Sequence, residues 1–165
     1  MAKPVVAAVN GAAAGAGVNI ALACDIVLAA RSAKFLQAFA RIGLIPDAGG
    51  SWSLPRLVGP ARARGLAMLA EPIGAETAEE WGLIWKAVND DSLMAEAQET
   101  AMKLAKGPTL GLALTKQAML AAATNSLEEQ LLLEEQVQAR AGASDDYREG
   151  VSAFLEKRPA KFSGR

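Results

Sequence analysis

Asp47 lies in a loop-forming stretch rich in proline and glycine, Gly43-Leu44-Ile45-Pro46-Asp47-Ala48-Gly49-Gly50. Few other charges surround it, and burial among these apolar neighbours would disfavour the ionised carboxylate and suit it to acid/base chemistry. The alternative is a local role, because an aspartate ahead of a helix often forms an Asx turn or caps the helix N-terminus, here before Ser51. The residues alone leave both interpretations open, and capping is the commoner one.

The turn Gly15-Ala16-Gly17 stands between a predicted strand and a predicted helix. Backbone N–H groups at a helix N-terminus lie at the positive end of the helix dipole, so this turn is suited to stabilising a developing oxyanion. A dinucleotide site is disfavoured, because Ile20 stands where the third small residue of that fingerprint belongs. Close packing of a helix on a strand would also explain the glycines.

Two aromatic groups could bind a ligand. Trp52, Trp81 and Trp85 either line a flat apolar pocket or anchor the core. Residues 154–162 combine phenylalanine with lysine and arginine, so this tail could hold a phosphorylated ligand. A solvated tail that caps its own helix is the equally simple alternative.

Composition excludes several classes of function. The sequence contains no histidine, which excludes Ser-His-Asp and Cys-His catalysis and argues against a zinc site. The formal net charge is -1, and no basic run is long enough to follow a nucleic acid. Cys24 is the only cysteine, which fits a reducing cytoplasm. Neither a leader peptide nor an apolar run of about 18 residues is found, so we expect a soluble, cytoplasmic protein without a membrane partner.

Hydrophobic periodicity predicts an α/β beginning and a helical end. Residues 4–9 and 26–30 are apolar runs of strand length, and a short helix over residues 18–23 joins them as a parallel crossover unit. Residues 34–35 and 84–88 add two more strands at most. A sheet this small has exposed edges, which favours oligomerisation. Further helices are predicted over residues 51–57, 60–69, 75–81, 93–106, 108–123, 127–141 and 146–157. Ser126-Leu127-Glu128-Glu129 has the pattern of a capping box at the start of the helix over residues 127–141.

Several of these segments together resemble the crotonase superfamily. The segments are Pro4-Val5-Val6-Ala7-Ala8-Val9-Asn10-Gly11, Gly15-Ala16-Gly17, Cys24-Asp25-Ile26, Gly43-Leu44-Ile45-Pro46 with Gly49-Gly50, and Glu149-Gly150-Val151 with Ala153-Phe154-Leu155-Glu156-Lys157-Arg158. The resemblance covers essentially the whole chain. It implies a partial crotonase fold: a core with a short parallel sheet, the oxyanion turn and the catalytic loop in residues 1–90, and a helical trimerisation region in residues 91–165.

The resemblance also implies a chemistry. In that family a thioester carbonyl is held by two backbone N–H groups, and one of them corresponds to Ala16. A coenzyme A thioester is then the substrate, with no separate cofactor or metal, and Asp47 is the catalytic carboxylate. Substrate-binding positions map to a further set of residues: Gly15, Phe39, Trp52, Phe154 and Lys157. A homotrimer or a dimer of trimers is the assembly implied.

Within the superfamily the chain is most similar to ring 1,2-epoxyphenylacetyl-CoA isomerases of phenylacetate degradation. Gly-Leu-Ile-Pro-Asp-Ala-Gly-Gly around Asp47 and Asp146-Tyr147-Arg148-Glu149-Gly150 carry this likeness. The positions that correspond to the two glutamates of the hydratases are Asn19 and Phe39, neither of which can activate water. The resemblance therefore favours isomerisation of an epoxide or of an enoyl-CoA double bond over hydration, with dienoyl-CoA isomerisation as another crotonase alternative.

Crotonase-superfamily proteins are longer than this chain. The resemblance implies a segment ahead of Met1 that would hold the other oxyanion N–H group and much of the coenzyme A surface. A fragment of an isomerase and a shortened, non-catalytic oligomeric protein are the two resulting hypotheses. Acyl-CoA binding distinguishes them.

Overall fold

The computed structural model describes residues 1–165 without a gap. The chain divides into two compact units. One unit, here called the α/β unit, is Val5–Glu99, and the other, the helical unit, is formed by Met1–Pro4 with Thr100–Arg165. The separate roles expected for residues 1–90 and 91–165 stay predictions.

Six strands and seven α-helices make up the chain. The strands are β1 Val6–Val9, β2 Ala12–Ala14, β3 Ile26–Ala30, β4 Lys34–Leu36, β5 Ile73–Gly74 and β6 Lys86–Val88. The helices are α1 Ala16–Leu22, α2 Gly50–Leu69, α3 Ala75–Glu80, α4 Leu93–Ala105, α5 Thr109–Ala121, α6 Leu127–Gly142 and α7 Asp145–Leu155. Short 3-10 turns cover Ala38–Ile42 and Asp90–Ser92.

The first sheet has the order β1-β3-β6 and is parallel throughout. Val6 pairs with Ile26, and Leu28 pairs with Lys86. Because β1 and β3 are parallel and α1 lies between them in sequence, the predicted crossover unit is confirmed. Alanine and valine dominate these strands, as expected where a parallel sheet is covered on its faces.

A second sheet was not predicted. It has the order β2-β4-β5, with β2 parallel to β4 and β5 antiparallel to β4. No strand was predicted over residues 12–14, and the prediction of at most four strands was wrong. The three residues of β2 are alanines, which carry little strand propensity, so the pairing of Ala13 with Phe35 decides their conformation.

The α/β unit has a continuous apolar core. Its fully buried side chains include Val18, Leu28, Phe35, Leu54 and Leu93. The α2 helix contributes through one face and is broken at Gly59, which adopts φ 77° ahead of Pro60. The two helices predicted on either side of that proline are therefore confirmed as two helical segments with a kink between them.

The helical unit is held partly by polar contacts at its helix ends. Ser126 and Glu129 form the predicted capping box, with the Ser126 N–H donating to Glu129 at 2.7 Å and the Glu129 N–H donating to Ser126 at 3.2 Å. The C-terminal tail folds back on α7, where Asp146 accepts hydrogen bonds from Ser163 and Gly164.

None of the helices in the chain combines the length and apolar content that a membrane span requires.

Candidate active site

Asp47 lies on the loop between the 3-10 turn Ala38–Ile42 and α2. Its side chain is exposed and has no hydrogen-bond partner in the chain. The N-cap of α2 is Gly49, with φ 82° and no side-chain cap, so the capping interpretation of Asp47 is wrong. The expected burial of Asp47 is not found within this chain either, since the apolar loop residues Leu44 and Ile45 are themselves 59% and 79% exposed.

The backbone of Asp47 is fixed more firmly than its side chain. The Asp47 carbonyl accepts a hydrogen bond from the Gly50 N–H at 2.8 Å and another from the Asn19 side-chain amide at 2.9 Å. Asn19 lies on α1 and is 1% exposed. This contact joins the Asp47 loop to the helix that begins at Ala16.

Gln37 continues this hydrogen-bonded chain on the other side of Asn19. Its Nε2 donates to Asn19 Oδ1 at 2.7 Å, and its side chain is 2% exposed. Sequence reasoning gave neither Asn19 nor Gln37 a role. The available signal was Asn19 itself, an amide in the otherwise apolar helix Ala16–Leu22, where a buried polar group needs a partner.

The Gly15-Ala16-Gly17 turn begins a helix, as expected. Gly15 adopts φ 53° and ψ -126°, a backbone conformation that only glycine occupies readily, and its N–H donates to Leu36 at 2.8 Å. Ala16 is the first residue of α1, so its N–H has no acceptor within the helix. Val18 donates to the Gly15 carbonyl at 3.1 Å and closes the turn.

Phe39 lies beside this turn. A Cβ at Gly15 would lie 3.6 Å from the Phe39 ring, and Phe39 is 7% exposed. Trp52 is 47% exposed on the first turn of α2, with the Arg56 guanidinium 4.0 Å from its ring centre. One connected region of the α/β unit therefore contains the turn, the loop and this ring, that is Gly15, Ala16, Asp47 and Phe39.

The other tryptophans do not form one pocket with Trp52 in the contacts observed. Trp81 packs partly buried against the core, with Arg62 4.9 Å from its ring centre, whereas Trp85 is 71% exposed. Core anchoring is thus the role of Trp81.

Phe154 and Lys157 lie in the helical unit. Phe154 is 83% exposed at the end of α7 and lines an apolar cavity of about 430 Å³ together with Tyr147 and Phe162. Lys157 is exposed and has φ 53°, a left-handed conformation that ends the helix. Arg158 is engaged internally, since it donates to Glu149 at 2.7 Å and to Glu156 at 2.6 Å.

The fold, together with the turn at Ala16 and the loop at Asp47, is that of the crotonase superfamily. Comparison with known proteins agrees: the family model described as Enoyl-CoA hydratase/isomerase matches residues 1–165. The chain belongs to this family, and the resemblance found in the sequence is confirmed.

Individual relatives are similar over nearly the whole chain. A 1,2-epoxyphenylacetyl-CoA isomerase of Escherichia coli strain K12 is 58% identical over 99% of this chain and 62% of its own length. A probable enoyl-CoA hydratase of Rhodobacter capsulatus is 58% identical over 98% of this chain and 63% of its own length. The crystal structure of a putative enoyl-CoA hydratase/isomerase from Mycobacterium abscessus gives a TM-score of 0.95 at 42% identity, covering 98% of this chain and 62% of that one.

Proposed function

We propose that this chain is part of an acyl-CoA isomerase acting on ring-epoxidised phenylacetyl-CoA, on enoyl-CoA double bonds, or on both. The observation that carries the proposal is the Asp47 loop. It presents a carboxylate with no partner in the chain, and its backbone is tied through Asn19 to the helix that begins at Ala16. The name of the Escherichia coli relative supports the ring-epoxide substrate.

For a double-bond shift, the proposed steps use two groups of this chain. The Asp47 carboxylate removes a proton from the carbon between the thioester carbonyl and the double bond. The electron pair moves onto the thioester oxygen, where the Ala16 N–H stabilises the negative charge. Asp47 then returns the proton to the far carbon of the former double bond, and a new double bond forms next to the carbonyl. No oxidant or cofactor is consumed.

The remaining predicted residues have supporting roles in this proposal. Gly15 shapes the oxyanion turn, and Phe39 and Trp52 contribute to the apolar wall of the substrate pocket. Phe154 and Lys157 help to bind the coenzyme A part of the substrate, and the helical unit mediates a homotrimer or a dimer of trimers. We place the protein in the cytoplasm, in phenylacetate catabolism.

Hydration is the second candidate, because the Rhodobacter capsulatus relative is named a probable enoyl-CoA hydratase. Hydration requires a general base that activates water. The Asn19 amide is already bonded to Asp47 and Gln37, and Phe39 is a buried hydrocarbon ring. Neither position offers a base, so we expect isomerised products without the 3-hydroxyacyl thioesters that addition of water would give.

The test compares Asp47→Asn with Asp91→Asn in the complete gene product. Asp91 is an exposed carboxylate on the 3-10 turn Asp90–Ser92, so its amide variant removes the same charge outside the proposed site. Turnover is measured on enoyl-CoA isomers and on ring-epoxidised phenylacetyl-CoA. Asp47→Asn should lower kcat by about 10²- to 10⁴-fold, the usual contribution of a general acid/base, and Asp91→Asn should leave it unchanged.

Binding of a saturated acyl-CoA completes the test. Binding by the parent and by Asp47→Asn, with turnover by the parent alone, is the expected result. Parent-like turnover by Asp47→Asn would refute the role of Asp47. Failure of the parent protein to bind any acyl-CoA would support the non-catalytic oligomeric alternative.

A further inference from the structure

Asn19 and Gln37 form a pair of fully buried amide side chains behind the Asp47 loop. They are 1% and 2% exposed, and they are hydrogen-bonded in series: Gln37 Nε2 to Asn19 Oδ1, then Asn19 Nδ2 to the Asp47 carbonyl. The proposed reaction uses neither side chain to move a proton. Their burial next to the loop therefore needs a different explanation.

The Asp47 carbonyl sets the direction of this series. A carbonyl oxygen can only accept, so Asn19 must present its Nδ2 to it and turn its Oδ1 toward Gln37. Gln37 must then donate from Nε2, and its Oε1 remains buried without a hydrogen-bond partner in the chain. A buried acceptor left unpaired is unfavourable, and such groups in native structures commonly accompany a functional arrangement.

Gly50 shows how closely Asn19 is fitted to the loop. A Cβ at Gly50 would lie 2.2 Å from Asn19 Nδ2 and 2.5 Å from its Cγ, so only glycine leaves room for the amide. The Gly50 N–H also donates to the Asp47 carbonyl at 2.8 Å. The same oxygen thus accepts one bond from the start of α2 and one from α1, which restrains the peptide that carries the catalytic carboxylate.

We propose that Asn19, oriented by Gln37, is a positioning residue that holds the Asp47 peptide at a fixed position relative to the Ala16 turn. Both groups of the proposed reaction then depend on α1: Ala16 is its first residue, and Asn19 lies one turn later on the same helix. The inference rests on the proposed function. It adds that this site is aligned by a buried amide rather than by contacts of the Asp47 carboxylate itself.

The experiment is a double-mutant cycle in the complete gene product, which tests the close packing of Asn19 against Gly50. The variants are Asn19→Ala, Gly50→Ala and the double variant Asn19→Ala/Gly50→Ala, with Gly65→Ala as a control because a Cβ there meets no atom within 4 Å. Gly50→Ala collides with the Asn19 amide and should lower both Tm and kcat. In the double variant the colliding atoms are gone, so Tm should return to that of Asn19→Ala, whereas kcat should stay low.

The kinetic signature separates positioning from packing. Asn19→Ala should lower kcat by about 10- to 100-fold with little change in KM, because a displacement of about 1 Å in a reacting group is enough for such a loss. Amide hydrogen exchange at Gly50 should become faster in the same variant, since its acceptor carbonyl is no longer restrained. Gly65→Ala should keep the parental kcat, KM and exchange at Gly50, and its Tm should not fall, because alanine is a better helix former than glycine inside α2.

Two outcomes would overturn the inference. Asn19→Ala could keep parental kcat and parental exchange at Gly50, or the double variant could recover kcat together with Tm, which would make Asn19 a packing residue only. Asp47→Asn distinguishes these from failure of the proposed function. If Asp47→Asn loses turnover while Asn19→Ala keeps it, only the inference is wrong; if Asp47→Asn keeps turnover, both are wrong.

Discussion

The two compact units bury different kinds of residue. Every member of the continuous apolar core lies between residues 18 and 97, within the α/β unit. In the helical unit only Leu114 and Ala153 are buried hydrophobic residues. Many of its large apolar side chains are instead exposed, and they include Met119, Leu120, Leu127, Leu131, Leu132, Tyr147, Val151, Phe154 and Leu155.

The buried polar groups differ in the same way. The α/β unit buries two neutral amides, Asn19 and Gln37, which restrain one loop, whereas the helical unit buries the carboxylate of Asp146, which restrains the C-terminal tail. In the α/β unit the apolar core is extensive, so the buried amides can serve to hold one loop in place. In the helical unit few apolar side chains are buried, and polar contacts hold the C-terminal tail. The exposed apolar surface of the helical unit is of the kind that assembly covers.

The sharpest test of this contrast replaces one phenylalanine in each unit. Phe35 is 2% exposed in the α/β core, and Phe35→Ala should lower the free energy of unfolding by about 3–5 kcal/mol, the range for a buried phenylalanine. Phe154 is 83% exposed, and Phe154→Ala should change it by no more than about 0.5 kcal/mol. Chemical denaturation of the two variants provides the measurement.

Repeating the Phe154→Ala measurement at several protein concentrations shows whether this side chain is covered in an assembly. If Phe154→Ala destabilises the protein by an amount that grows as the protein becomes more concentrated, its side chain is covered in an assembly, and the proposed trimer is supported. A loss for Phe154→Ala as large as that for Phe35→Ala at every concentration would contradict the contrast between the units.

Local sequence signals predicted the helices well and the second sheet poorly. The capping box at Ser126 and the proline after Gly59 act within a few residues, and both features are found where expected. In contrast, β2 and β5 are alanine- and glycine-containing segments that become strands only by pairing with β4. Pairing between residues far apart in sequence leaves little mark on the local pattern.

The same distinction applies to the site. The glycine-rich turn at Ala16 and the loop at Asp47 could be located from their own residues, because turns need particular residue types. The amide series could not, since the partner of Asn19 is a backbone carbonyl 28 positions away. Every residue has a backbone carbonyl, so the sequence does not show which one accepts a hydrogen bond. The exposure of Asp47 is equally hard to predict, because it depends on which segments pack around it.

A smaller effect is expected from the polar contact that secures the tail. Asp146 is 3% exposed and accepts from the Ser163 N–H at 2.6 Å and the Gly164 N–H at 3.0 Å. Asp146→Ala leaves these donors without their acceptor and should lower the free energy of unfolding by about 1–3 kcal/mol. Because the tail is released, trypsin should also cleave after Lys161 faster than in the parent.

Asp145→Ala is the matched control for the tail. Asp145 is the neighbouring aspartate on α7, but it is exposed and pairs only with Arg148 on the surface. Such a pair contributes about 0.3–0.5 kcal/mol, so this variant should keep the slow cleavage of the parent. Equal cleavage rates for Asp146→Ala and the parent would show that the tail is secured by something other than Asp146.

The smallest effect concerns pH. Hydrogen bonds from the Arg158 side chain, at 2.7 and 3.0 Å, and then from the Lys161 N–H, at 2.7 Å, lower the pKa of Glu149 from 4.5 to about 2. A carboxyl group whose pKa is lower in the folded state adds stability above its unfolded pKa, and this contribution is lost as pH falls. The loss should therefore occur between pH 4.5 and about 2.

Glu149→Gln tests that assignment through the dependence of Tm on pH. The variant cannot ionise at this position, so its Tm should be lower than that of the parent near neutral pH, and the difference should shrink as pH falls from 4.5 toward 2. Glu156→Gln removes the other acceptor of Arg158 but leaves the Lys161 hydrogen bond in place, so it should depress Tm less. Parallel Tm curves for the parent and Glu149→Gln across this range would mean that ionisation of Glu149 does not stabilise the helical unit.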